Sequence, residues 1–135
     1  MPRKFKKVLL IDDDEINNEL NQIILEKFDF AEKALVFVNG SEALAHIQNH
    51  YLDGDGEELP EVIFLDIKMP VMDGFEFLER LHKLSKEFVE KVPVYILTSS
   101  RNQHDIERAS AFDIAGFFSK PLSPGQLEKI LSNDP

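Results

Sequence analysis

Three short, wholly apolar runs constrain this chain more than any other feature: Val8–Ile11, Val62–Leu65 and Val94–Leu97. Each is too short for a buried helix and rich in β-branched residues, as strands covered on both faces are. A fourth run, Ala34–Val38, is similar, and a weaker one lies at Gly116–Phe118. Amphipathic stretches alternate with these runs. Ile16, Leu20, Ile23, Ile24 and Phe28 recur at helical spacing, as do Phe75, Leu78, Leu81 and Leu84; each set predicts a helix with an apolar stripe laid on a core. Shorter helices are predicted at Ser41–His50, Gln103–Phe112 and Pro124–Leu131, with start signals at Ser41, Asn102 and the pair Ser123-Pro124. Strand and helix therefore alternate five times, which predicts an α/β domain: a parallel sheet with helices on both faces.

Residues 1–135 are read as a single domain, since the predicted elements leave no room for a linker or an output domain. An apolar content of 43%, with 11 Phe, is ample for one core. The chain has no Cys, which removes disulfides, thiolate zinc sites and cysteine nucleophiles, and suits a reducing cytoplasm. Its formal net charge of −10 repels phosphate backbones, so nucleic acid is not expected as a partner. The one basic cluster is Arg3, Lys4, Lys6 and Lys7. It precedes only the four apolar residues Val8–Ile11, too few for a secretory or membrane-spanning segment. It reads as a solvated lead-in to the first strand. Between Tyr51 and Glu61, the stretch Asp53-Gly54-Asp55-Gly56 superficially suggests a calcium loop. Counted from Asp53, however, the position needing Gly is Glu58 and the position needing Glu is Phe64. A polar surface turn is expected there. The histidines His46, His50, His82 and His104 lack partnered spacing and are expected in solvated positions.

Chemistry in an open α/β sheet gathers at the carboxyl ends of the strands, beside the point where strand order reverses. Asp12, Asp13 and Asp14 follow the first strand, and Asp66 follows the third. In the order 2-1-3-4-5 these two strands are neighbours, so the acids converge. Two carboxylates about 5 Å apart repel by roughly 3 kcal/mol at an effective dielectric near 20. A hard cation such as Mg²⁺ relieves that cost, because it takes one or two carboxylates together with a phosphate. Asp14, directly before the first helix, reads as its cap rather than as a ligand. Thr98, Ser99 and Ser100 end the fourth strand and Lys120-Pro121 the fifth. A hydroxyl and an ammonium facing carboxylates and a cation suit a phosphoryl group's equatorial oxygens. Asp is a competent acceptor, because carboxylates form acyl phosphates.

These residues resemble the response-regulator receiver family across nearly the whole chain. The resemblance is carried by the apolar run into Asp12-Asp13, then Val62-Ile-Phe-Leu-Asp66, Met69-Pro70 and Met72-Asp73-Gly74. It continues in Pro93-Val-Tyr-Ile-Leu-Thr98 and Phe117-Phe-Ser-Lys120-Pro121. The resemblance implies a flavodoxin-like (βα)5 three-layer sandwich and a stand-alone response regulator of a two-component phosphorelay, not a dedicated enzyme. Asp66 would be the phosphoacceptor. Asp13 would bind Mg²⁺ (or Mn²⁺) directly and Asp12 mainly through water, with the Lys68 backbone carbonyl as a further ligand. Thr98 and Lys120 would hold phosphoryl oxygens, and Lys120-Pro121 would be cis. Thr98 and Phe117 would form the switch, Thr98 vacating space that Phe117 fills. Lys68 and Ser100 occupy the positions that tune the lifetime of the phosphorylated state, Lys68 reading mainly as an exposed rim charge. The expected donor is a histidine kinase or a histidine phosphotransfer protein. The expected output is a downstream protein, or a second copy in a homodimer, meeting the face of the fourth predicted helix, fifth strand and fifth helix, α4-β5-α5 in that five-helix count.

Two rivals remain. Leu9-Leu10-Ile11-Asp12-Asp13-Asp14 also resembles the first motif of haloacid-dehalogenase-type phosphatases, with Asp12 as nucleophile and the acid two residues on as acid/base. That reading lacks a late acidic pair, since only Glu128 and Asp134 follow Lys120, and it leaves Asp66 unexplained. The other is a receiver-like interaction module that works without phosphate, against which stands the full set of site residues.

Overall fold

The computed structural model describes residues 5–52, 58–99 and 102–133. Five strands, β1 (Phe5–Ile11), β2 (Ala31–Phe37), β3 (Val62–Leu65), β4 (Val94–Thr98) and β5 (Gly116–Ser119), form one parallel sheet in the order β2-β1-β3-β4-β5. The helices among the described residues are α1 (Glu15–Lys27), α2 (Gly40–Ile47), α3 (Gly74–Leu84), α4 (Lys86–Lys91), α5 (Gln103–Ala109) and α6 (Pro124–Asn133). This is the expected flavodoxin-like receiver fold, with strand order 2-1-3-4-5.

The continuous apolar runs are explained by what covers the sheet. Side chains alternate between faces along a strand. Leu9, Ile11, Ile63, Leu65, Val94 and Ile96 meet Ala43 and Ile47 of α2, Phe77 and Leu81 of α3, and Phe88 of α4. Val8, Leu10, Val62, Phe64, Tyr95 and Leu97 meet Leu25 of α1 and Leu127 and Ile130 of α6. Both faces are closed. Neither face of the central strands can then be polar.

Four expectations change. First, α4 is a separate short helix, capped by Ser85, whose side chain accepts from the Phe88 N–H at 3.1 Å. The face expected as α4-β5-α5 is therefore α5-β5-α6 in chain order. Second, α2 starts from Asn39, which accepts from Glu42 N–H at 2.8 Å, and not from Ser41. After Ile47 the chain widens into a single π-helical turn, Gln48–Leu52. Third, α1 turns most of its apolar stripe away from the sheet, with Ile24 half-buried against the core. Asn18, Asn21 and Leu25 are buried, whereas Ile16, Leu20 and Ile23 are 69%, 48% and 58% exposed. Fourth, His46 and His50 are half-buried partners rather than solvated singles. Their rings stack with centroids 4.3 Å apart, and His46 Nε2 lies 3.2 Å from the Tyr51 hydroxyl.

The other start signals hold. Asn102 accepts from His104 N–H at 2.9 Å. Ser123 and Gln126 cap each other reciprocally, Gln126 N–H donating to Ser123 Oγ and Ser123 N–H to Gln126 Oε1. Arg3, Lys4 and the Asp53–Gly56 turn lie outside the described residues. No described helix is long and apolar enough to cross a membrane.

Candidate functional site

The site sits at the carboxyl ends of β1, β3, β4 and β5. Ile11 and Leu65 are paired across β1 and β3, and the ladder runs one step further, with Asp66 N–H donating to Ile11 O at 2.9 Å. Asp12 and Asp66 are thereby adjacent at the rim. The next turn ends the strand. Gly74, the first residue of α3, lies so close that a Cβ there would meet the Asp66 carbonyl oxygen and Ile67 Cα at 2.7 Å each. Only glycine allows α3 to start this near the acidic strand end.

Asp12, Asp13 and Asp66 each offer a carboxylate oxygen within 4.8 Å of the others; Asp12 and Asp66 are buried and Asp13 is exposed. Lys120 Nζ reaches into the group, 2.7 Å from Asp12 Oδ2 and 3.3 Å from Asp66 Oδ2. Its position follows from β5, since Lys120 N–H donates to Thr98 O at 2.8 Å. The Lys120-Pro121 peptide is cis, as the resemblance implies.

The electrostatics reflect this crowding. Burial pushes the Asp66 carboxyl above its ordinary value; Lys120 opposes that rise, Asp12 adds to it, and the Lys68 N–H, 3.2 Å from Asp66 Oδ1, lowers it again. For Lys120, burial pulls the ammonium down, but the hydrogen bond to Asp12 and the charges of Asp66 and Asp12 outweigh it and hold the group above its ordinary value. Such crowding favours a cation beside the acids. Three hard carboxylate oxygens within one ion's reach are a donor set suited to Mg²⁺ or Mn²⁺.

Asp14 caps α1, accepting from Ile16 N–H at 2.9 Å and Asn17 N–H at 3.2 Å. Thr98 is fully buried at the end of β4, with Ser99 exposed beside it. Phe117 is half-buried against the core on the side of α2 and α3. The pairings Ile96–Phe117 and Thr98–Ser119 put Thr98 and Phe117 on the same sheet face. Lys68 is exposed, as expected of a rim charge, but its ammonium is not free: it pairs with Asp105 of α5 at 3.3 Å. Ser100 lies outside the described residues. Two residues join the site that the sequence reading did not single out. Asn18 donates from Nδ2 to Asp12 O at 2.8 Å, steadying the acidic turn. Asp105 reads in sequence as an ordinary first-turn acid, and only the packing of α5 brings it to Lys68.

Similarity to known proteins identifies the family of this chain. The family model for the response regulator receiver domain matches residues 8–132. CheY, a chemotaxis protein of Halobacterium salinarum, is 30% identical over 95% of this chain and 95% of its own length. The probable methanogenesis regulatory protein FilR2 of Methanothrix harundinacea is 29% identical over 92% of this chain and 77% of its own. Among solved structures, a two component response regulator from Cytophaga hutchinsonii superposes with a TM-score of 0.81 at 32% identity. That match covers 98% of this chain and 100% of the other. With the sheet order, the acidic rim and these matches in agreement, the chain belongs to the response-regulator receiver family of two-component signalling.

Proposed function

We propose that Asp66 accepts a phosphoryl group from a histidine kinase or histidine phosphotransfer protein. The observation that carries the reading is the Lys120 ammonium lodged between two buried carboxylates, Asp12 and Asp66, with Asp13 completing the acidic set. A structural core has no use for three acids and one cation at a strand rim. A group-transfer site does.

An Asp66 carboxylate oxygen attacks phosphorus, the bond to the donor nitrogen breaks, and the donor imidazole leaves with that electron pair. Asp13, Asp12, Asp66 and the Lys68 carbonyl would hold Mg²⁺, for which Mn²⁺ could substitute, and the ion would neutralise charge on the transferring group. Lys120 pairs with one phosphoryl oxygen, moving its charge away from Asp12. The Thr98 hydroxyl donates to another. Thr98 is fully buried, so its displacement leaves volume that a neighbour must fill. Phe117, on the same face and only half-buried, is placed to do so. That rearrangement biases the α5-β5-α6 face between two states, which a downstream protein reads. The reading places the chain in the cytoplasm, as a signalling acceptor and not a turnover enzyme. Lys68 and Ser100 would set how long the acyl phosphate persists.

The phosphatase rival needs an acid/base two residues after Asp12. That residue is Asp14, whose carboxylate is committed to the first turn of α1. The deciding experiment is incubation with Mg²⁺ and a small phosphodonor, followed by a search for an acid-stable, base-labile acyl phosphate. Labelling should map to Asp66, and should vanish in Asp66→Asn and without Mg²⁺. Labelling that survives Asp66→Asn but is lost in Asp12→Asn would hand the site to the phosphatase reading. An unlabelled wild type that also fails to bind beryllofluoride would leave a phosphate-independent module.

A further inference from the structure

Helix α5 is lightly held. It is seven residues long, and only Asp105 and Ala109 are buried. Two of its ties run to α3: the Arg108 guanidinium lies 4.4 Å from the Phe75 ring centre, and Phe112, just past the helix, stacks on Phe75 at 6.0 Å. Between α5 and the turn after β3 lies an open cleft of about 350 Å³, lined by Ile67, Met69 and Phe75 among others. Lys68 and Asp105 also line it, and they pair with each other at 3.3 Å. The two ends of that ion pair differ. The Asp105 side chain is 11% exposed and the Lys68 side chain 61%. Lys68 also donates its backbone N–H to Asp66 Oδ1. One residue therefore touches the acceptor carboxylate with its main chain and holds α5 with its side chain.

We propose that the Lys68–Asp105 ion pair is a latch that holds α5 in the resting state, and that a phosphoryl group on Asp66 releases it by drawing the Lys68 ammonium away. This rests on Asp66 being the acceptor. Phosphorylation there turns a carboxylate of charge −1 into an acyl phosphate of nearly −2, with three strong acceptor oxygens two residues from Lys68. Lys68 is the mobile partner, a compact charge on a flexible stem in water. Asp105 is the fixed one. Losing a counter-cation raises the cost of a nearly buried carboxylate, so the first turn of α5 gains by moving toward water. Because one partner is exposed, the bias is modest, on the order of two- to five-fold in population. A helix with two buried residues responds to a bias of that size.

The test is amide hydrogen exchange over residues 103–109 of the full chain, with beryllofluoride uptake followed in parallel by fluorine NMR. Wild type should exchange two- to five-fold faster in α5 with Mg²⁺ and beryllofluoride, and should be unchanged by Mg²⁺ alone. Lys68→Met keeps the backbone donor to Asp66 and removes the ammonium; it and Asp105→Asn should each start at the faster rate without any mimic. The double variant should be no faster than either single one. The latch is overturned by wild-type uptake with α5 exchange unchanged or slowed. It is equally overturned by single variants that exchange like wild type, or whose effects add in the double. Wild type that takes up no mimic removes the release step together with the phosphoacceptor reading, while the ligand-free variants still decide whether the pair holds α5.

Discussion

Lys120 is bound more closely to Asp12 than to Asp66, at 2.7 Å against 3.3 Å. The ammonium is thus the resting counter-charge of the very acid expected to serve a metal. Lys120→Met would leave two buried carboxylates facing each other. Hydrogen bonds to charged groups are worth roughly 1.5–3 kcal/mol, and a loss of that size is expected in urea unfolding without divalent metal. Mg²⁺ should restore much of it and should bind the variant more tightly than wild type. A variant as stable as wild type without Mg²⁺ would refute this account of the pair.

Asp66 gives a pH signature whose sign is fixed by its environment. Burial raises its folded pKa above the ordinary 3.8, with Lys120 opposing and Asp12 reinforcing. The native state then holds the proton more tightly than the unfolded chain does, so the ionised acid opposes folding above its folded pKa. Asp66→Asn should therefore melt higher than wild type at neutral pH without metal. The gap should close as pH falls through the folded pKa toward 3.8. A gap that widens on acidification would contradict the burial argument.

The orientation of α1 is open to a paired test. Leu25 is buried and Ile23 is not. Leu25→Ala should cost about 2–5 kcal/mol, as deletions in a packed core do. Ile23→Ala should stay within about 0.5 kcal/mol of wild type. Equilibrium denaturation of both decides it, and the reverse order would mean that the stripe faces the core after all.

Val71 sits in the turn after β3 with φ of 69° and its side chain fully exposed, and Met72 N–H donates to Pro70 O at 2.7 Å. A β-branched residue in the left-handed region is strained, at a cost of order 1–3 kcal/mol. Val71→Gly, which has no Cβ to strain in this three-residue turn, should raise stability by about 1 kcal/mol. Denaturant midpoints at equal slope would measure it; a lower midpoint would place the strain elsewhere.

The rim of the site was legible because each strand ends in a change of chemistry. Apolar runs stop at Asp12, Asp66, Thr98 and Ser119, the residue before Lys120, and a buried strand cannot accommodate such residues before its end. The orientation of α1 was not legible. Helical spacing counts apolar residues but does not say which side meets the sheet, and the Asp12 carbonyl recruits Asn18 inward as its donor. The short α4 was hidden for another reason. Six residues carrying Lys86, Glu87, Glu90 and Lys91 bury one side chain, Phe88, and form a helix through the Ser85 cap and that single anchor. Asp105 was invisible as a partner of Lys68 because they lie 37 positions apart on elements whose packing no local pattern encodes.

The aliphatic stripe of α1 has a colloidal consequence. Ile16, Leu20 and Ile23 stand in water on a chain with a formal net charge of −10. At physiological salt, where the Debye length is about 8 Å, two copies approaching through this stripe still repel one another. In molar salt it shrinks to about 3 Å, and the same stripe becomes the adhesive patch. Raising the ionic strength thus weakens the charge repulsion between copies while the apolar attraction of this stripe remains.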